Sequence, residues 1–203
     1  MDFLWEIKDH TIEYLDEQHI YVVDGVIVPS ITQIVRVKNP NKYAMVSEAV
    51  LKKAADLGTQ VHEAVEAYAI KGTESDLPEV RGFKFLQKHY KFKVEAVEIP
   101  VLLFRDDEPC AAGRMDLLIR NDKDELGIAD IKRTSNFDKD YLAYQLNLYR
   151  MAFQQSYDMP ITFLAGLHLR EDVRKYAPIP IVEDLANELL DKFFATGETD
   201  GEQ

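Results

Sequence analysis

Gly113-Arg114-Met115-Asp116 and, fourteen residues after that aspartate, Asp130-Ile131-Lys132 are the two stretches on which the fold turns. Between them lies the polar run Asn121-Asp122-Lys123-Asp124-Glu125. Read as a hairpin loop centred on Lys123, it sets Asp116 and Asp130, equidistant from that centre, opposite each other on two antiparallel strands. The preceding run Arg105-Asp106-Asp107-Glu108-Pro109 has the same turn-like composition and centres on Asp107. The same arithmetic sets Glu98 opposite Asp116. The expectation is three carboxylates in one row across three strands.

Like charges directly opposed on a sheet destabilise it, and ionised carboxylates are costly to bury unless something cationic joins them. A divalent metal resolves that conflict. Lys132 stands two residues beyond Asp130, and the strand period of two puts its ammonium beside the row. The alternating positions Val97, Ile99, Val101, Leu103, Met115, Leu117, Ile119, Ala129 and Ile131 are apolar or small, so the opposite face of the same strands is expected to cover a core. A bulge or a one-residue error in a loop would move every side chain to the other face.

A Gly-x-x-Asp on one strand, a hydrophobic strand ending Asp-x-Lys, and a following helix with Gln145 and Tyr149 in the form Gln-x-x-x-Tyr resemble the PD-(D/E)XK nuclease superfamily. The upstream Gly58-Thr59-Gln60-Val61-His62 is similar to the RecB-like exonuclease branch, which has phage-type exonucleases as more distant relatives. The match runs from about residue 58 to 150 in the family's order. It implies a restriction-endonuclease-like core and a metal-dependent DNA exonuclease that hydrolyses phosphodiester bonds at DNA ends, in recombination, repair or phage DNA metabolism. A structure-specific or non-specific endonuclease is the alternative within that class. A catalytically inactive module that binds nucleic acid or protein is the alternative outside it.

With 203 residues and 46% hydrophobic content, the chain can bury one good core and is expected to be a single domain. No run is long enough to span a membrane, and Met1-Asp2-Phe3-Leu4-Trp5-Glu6 lacks the basic start and apolar stretch of a signal peptide. A soluble, cytoplasmic protein is therefore expected, and the resemblance suggests a bacterial or phage-infected cell. The one cysteine, Cys110, excludes an intrachain disulfide and a four-cysteine iron–sulfur cluster. The net charge of −12 opposes a broad nucleic-acid grip, since proteins that bind by counterion release are usually basic on the binding face. The acids concentrate in 9–17, 74–79 and 183–202, whereas Arg114, Lys132, Arg133, Lys139 and Arg150 give the motifs local positive charge. A recombination partner or a homo-oligomer would compensate for weak affinity.

In coarse outline the chain reads as α/β (α+β), a mixed central sheet flanked by helices, with residues 1–43 as an N-terminal β-hairpin elaboration, 44–195 as the core and 196–203 as a flexible tail. Strands are expected at 14–15 and 20–28, the latter broken by a two-residue turn at Asp24-Gly25, followed by a short helix to Val35 capped by Ser30. Helices are expected at about 44–70, interrupted near Gly58, at 78–90 starting on Pro78, at 139–157 and at 182–194. Two further strands fall at 162–170 and 174–177.

Asp116 and Asp130 are the primary candidate metal ligands, because hard oxygen donors suit Mg2+ or Mn2+. Glu98, just before Pro100, either joins the metal, directly or through water, or is an exposed residue of an edge strand. By resemblance, His62 and the backbone carbonyl of Ile131 are further ligands. Glu66, one helical turn after His62, either orients it or is solvated. Lys132 orients or deprotonates the attacking water, or stabilises charge on the transition state. Gln145 and Tyr149 share a helix face and by resemblance contact the DNA backbone or support the lysine. Arg114, Arg133, Arg150 and Tyr141 are candidates for contacts with DNA.

Overall fold

The computed structural model describes residues 3–40 and 45–195, so the expected helix start at Ala44 and the tail 196–203 lie outside the described residues. Four short strands open the chain: β1 (Phe3–Ile7), β2 (His10–Leu15), β3 (Ile20–Val23) and β4 (Val26–Val28), paired in that order as an antiparallel meander. The Asp24-Gly25 turn joins β3 to β4 with both residues at positive φ (50° and 83°), the backbone that a two-residue hairpin requires. The elaboration is thus larger than the expected hairpin, because Phe3–Ile7 adds a strand that pairs with His10–Leu15. Ser30 caps α1 (Ile31–Arg36) in a reciprocal capping box with Gln33.

The core follows as α2 (Glu48–Lys71), α3 (Pro78–Tyr90), β5 (Lys93–Arg105), β6 (Glu108–Arg120), β7 (Leu126–Lys132), α4 (Lys139–Tyr157), β8 (Phe163–Arg170), β9 (Val173–Ile179) and α5 (Glu183–Ala195). Gly58 does not interrupt α2, which runs unbroken to Gly72 in the left-handed conformation. The five strands β5 to β9 form one mixed sheet in sequence order. All pairs are antiparallel except β7 with β8. A parallel pair needs a long crossover, and α4 supplies it. The fold is α+β, with a mixed sheet covered by helices.

The expected register holds at both strand pairs. Leu117 faces Ala129, which is the alignment that sets Asp116 toward Asp130. Val97 faces Leu117 and Ile99 faces Met115, which sets Glu98 toward Asp116. The second alignment arises by an unexpected route. The turn is the residue pair Asp106-Asp107, both at positive φ, and a shift between Leu103 and Phe104 against β6 restores the offset. Two local irregularities cancel.

The alternating apolar positions do not share one face, contrary to expectation. Val97, Leu117, Ile119, Ala129 and Ile131 pack with Val61 and Val65 of α2 and Val80, Phe83 and Leu86 of α3. Ile99, Val101, Leu103 and Met115 pack instead with Leu146, Tyr149 and Phe153 of α4 and with Ile31 and Ile34 of α1. The change occurs across Glu98 and Asp116. Glu98 has φ 50°, a left-handed backbone that a non-glycine residue adopts at a cost of about 1 kcal/mol or more, and it interrupts the period of two. The acid row therefore lies where one core ends and the other begins.

The N-terminal sheet is fastened to β6, where Ser30 bridges Ala112 and the Ala112 amide donates to the Pro29 carbonyl at 3.1 Å. Ile12, Tyr21, Val23 and Val28 form a third apolar cluster with Leu102 and Ala112. Among the described residues, no helix is long and apolar enough to cross a membrane.

Candidate metal centre

Four elements converge on the acid row. The middle of α2 carries His62 and Glu66, β5 and β6 carry Glu98 and Asp116, and the end of β7 carries Asp130, Ile131 and Lys132. Ligand atoms of His62, Glu98 and Asp116 all lie within 4.8 Å of one another. His62 Nδ1 is 3.6 Å from Asp116 Oδ2, and Nε2 is 3.0 Å from the Ile131 carbonyl oxygen. The Ile131 amide donates to Asp116 Oδ2 at 2.7 Å. Both backbone groups of Ile131 thus face the site, and they tie β7 to β6 and α2.

Asp130 is 2% exposed, and its two oxygens are treated differently. Oδ1 accepts from Gln145 Nε2 at 2.8 Å. Oδ2 is fully buried without a hydrogen bond and meets the Lys132 ammonium at 2.7 Å, outside hydrogen-bond alignment. An under-satisfied buried carboxylate oxygen costs free energy unless a cation completes it. The donors of His62, Glu98, Asp116 and Asp130 are oxygen and imidazole nitrogen, a set that fits Mg2+ or Mn2+ and not a thiophilic ion. The donor chemistry of His62, Glu98 and Asp116 is compatible with a divalent cation, while the Lys132 ammonium already meets Asp130 Oδ2.

The charges in the cluster repel one another. Burial pushes the Asp130 carboxyl up to about 6, with Lys132 pulling down and Asp116 adding to the rise. Burial pushes Glu98 up to about 7, opposed by Arg114 and reinforced by Glu66 and Asp116. Glu66 is also raised, chiefly by burial, through its place beside Glu98 and Asp116. It belongs to the acid cluster, which corrects the solvated alternative. Burial would lower the Lys132 pKa, but the Asp130 and Asp116 carboxylates overcome it and hold it above the ordinary lysine value.

Unfolded carboxyls titrate near 4, so above about pH 7 the folded chain carries Asp130 and Glu98 charges at a cost that the unfolded chain does not bear. That cost is relieved as pH falls through these raised values. The metal-free protein is therefore expected to gain stability between about pH 8 and pH 5, on the order of a few kcal/mol. Urea midpoints across that window, with and without Mn2+, test this, and added metal should flatten the rise. A midpoint that drops steadily over the same range would show that the cluster is not electrostatically strained. Glu79 works in the opposite direction only at lower pH, because the Glu171 amide and Arg133 outweigh burial and hold its pKa below the ordinary value.

Several residues expected at the site have other tasks. Arg133 donates from Nε to Glu79 Oε1 at 3.0 Å, and Glu79 also accepts from the Glu171 amide at 3.0 Å. Arg133 therefore ties the end of β7 to α3. Arg150 grips Glu183, with Nη1 at 3.0 Å from Oε2 and Nη2 at 2.9 Å from Oε1, and joins α4 to α5 away from the acid row. Tyr149 is 5% exposed and packs over Gly113, where an added Cβ would stand 2.9 Å from its Cε1. It is a core residue, out of reach of a DNA backbone. Gln145 is equally buried and acts on Asp130, not on DNA directly. Arg114 stays at the site, ion-paired with Glu98 and lying over the Phe3 and Tyr14 rings at 5.2 and 5.4 Å.

The N-terminal sheet supplies residues that the sequence did not point to. A cleft of about 690 Å³ opens beside His62 and Glu98, lined by Phe3 and Trp5 of β1 and by Ala55, Gly58 and Thr59 of α2. Glu66, Glu98 and Arg114 also line it. The alternation of Phe3-Leu4-Trp5 was the available signal, because it puts both aromatics on one strand face.

No family model matches the chain, and no curated protein does. Among solved structures, the chain is similar to the crystal structure of SSO0001 at a TM-score of 0.50 and 17% identity, covering 85% of this chain and 77% of that one. At that identity the likeness shows a shared fold alone.

Proposed function

We propose that the protein is a metal-dependent deoxyribonuclease that hydrolyses phosphodiester bonds, with action at DNA ends as its mode. One observation carries this reading: ligand atoms of His62, Glu98 and Asp116 lie within 4.8 Å of one another, and the buried Asp130 carboxylate, paired with Lys132, stands on the neighbouring strand. A dead scaffold gains nothing from opposed, desolvated carboxylates. The resemblance of Gly113 to Asp116, Asp130 to Lys132 and Gln145 to Tyr149 to the PD-(D/E)XK motifs supports the same reading.

His62, Glu98, Asp116, Asp130 and the Ile131 carbonyl would hold Mg2+ or Mn2+. The ion would lower the pKa of a bound water and withdraw charge from the scissile phosphate. Lys132, kept protonated by Asp130 and Asp116, donates to the charge that builds on the phosphate oxygens. Its raised pKa favours this role over that of a base. Gln145 fixes the Asp130 rotamer through the 2.8 Å bond to Oδ1, which leaves Oδ2 aimed at the site. Arg114 offsets Glu98 and narrows the approach.

The net charge of −12 favours a rival reading, a binding module without activity, and one assay separates the two. End-labelled linear DNA and a closed single-stranded circle are incubated with Mn2+, with Mg2+ and with chelator, beside the Lys132→Ala protein. Loss of the linear substrate alone, dependent on metal and on Lys132, is the expected result. Cutting of the circle gives the endonuclease alternative, and no cutting under any metal gives the binding module.

A further inference from the structure

The wall that β1 contributes to the cleft is aromatic, and Arg114 lies over its Phe3 ring at 5.2 Å. Phe3 and Trp5 stack on each other with centroids 5.5 Å apart and planes within 2°. They belong to the N-terminal sheet, which the proposed chemistry does not require, yet they border the same cleft as His62 and Glu98. Among the charged residues of the lining, Glu63, Glu66 and Glu98 outnumber Arg114, which is already paired with Glu98, and His62 stands beside them. A phosphate is repelled from such a lining everywhere except at the metal. The neutral face of a base is not, and it gains from an aromatic surface.

We infer that Phe3 and Trp5 form a nucleobase-stacking subsite that seats an unpaired nucleotide next to the metal centre, so that the substrate enters as a single strand. This rests on the nuclease reading and adds to it a substrate form and two residues. The cleft volume of about 690 Å³ is of the size that takes one small ligand such as a nucleotide. Gly58 leaves space in the lining, since a Cβ there would meet nothing within 4 Å. The stacked pair explains sequence tolerance as well, because every base offers a π-face.

Trp5 is the sole tryptophan of the chain, so its fluorescence reports on the subsite directly. A short single-stranded DNA with phosphorothioate linkages, in Mn2+, is titrated against the full-length protein while Trp5 emission and the anisotropy of a label on the strand are followed together. The expected result is quenching that tracks binding, no quenching by an abasic strand of the same length, and affinity lowered about tenfold by Phe3→Ala. Phe3→Leu keeps the apolar bulk and should lose most of the same affinity, which guards against misfolding of the alanine variant. Leu4→Ala, at a residue 66% exposed on the other strand face, should change nothing. Binding or cleavage without quenching, equal quenching by the abasic strand, or full affinity in both Phe3 variants overturns the subsite and leaves the nuclease reading standing. A protein that neither binds nor cuts any strand overturns both.

Discussion

Lys132→Ala will lower metal-dependent cleavage by roughly 10²–10³-fold, the loss expected when one preorganised charge is removed from a developing anion. The protein will remain folded, but less stably. Asp130 is buried and loses the ammonium paired with it, and stranding one partner of a buried pair costs roughly 3–5 kcal/mol. Because the Lys132 side chain keeps 28% of its exposure, about 2 kcal/mol is the appropriate expectation. Saturating Mn2+ should restore much of that stability and little of the activity, since the ion can neutralise Asp130 but cannot replace a donor to the phosphate. Single-turnover rates and urea midpoints on the same preparation check both parts. Wild-type cleavage by the variant would remove Lys132 from the chemistry.

Gly166→Val will cost about 3 kcal/mol and lower the melting temperature by about 6–12 °C. Gly166 lies beside Asp130 across the parallel pair, directly under α4. A Cβ there would stand 2.5 Å from Leu142 Cδ2 and 2.6 Å from Phe137 Cζ. Leu142 is 1% exposed and has no free direction in which to turn, so the start of α4 must rise from the sheet. Gln145, one turn later, then loses its hold on Asp130, and cleavage should fall with stability. Gly58→Ala supplies the contrast: with open space around it and a position inside a helix, it should be neutral or stabilising by up to about 1 kcal/mol. Equal melting temperatures for wild type and Gly166→Val would refute the close approach.

Much of the site was legible because antiparallel pairing is arithmetic. A loop centre and a strand period suffice to align Asp116 with Asp130, and the observed pairing of Leu117 with Ala129 agrees. Glu98 was placed correctly although the turn is a residue shorter than it reads, since a bulge compensates. Single-strand periodicity could not disclose the left-handed backbone at Glu98, so the nine alternating apolar residues were assigned one face where they serve two. The ion pairs of Arg133 and Arg150 were hidden for a different reason. Their partners Glu79 and Glu183 are distant in sequence, and the destination of a long cationic side chain depends on tertiary neighbours. Tyr149 reads as amphipathic until Gly113 is seen to leave room for its ring.

The position of the acid row at the boundary between two apolar clusters separates chemistry from folding. Glu98 and Asp116 interrupt their strands where neither core draws on their side chains, and Asp130 is held by polar contacts that do not fill space. Exchanging these carboxylates for amides removes charge without opening a cavity. Loss of the Glu98 charge therefore meets little resistance from stability, whereas loss of the Asp130 charge strands the Lys132 ammonium beside it. On the nuclease reading proposed above, retention of the Glu98 carboxylate then owes more to activity than to the needs of the fold.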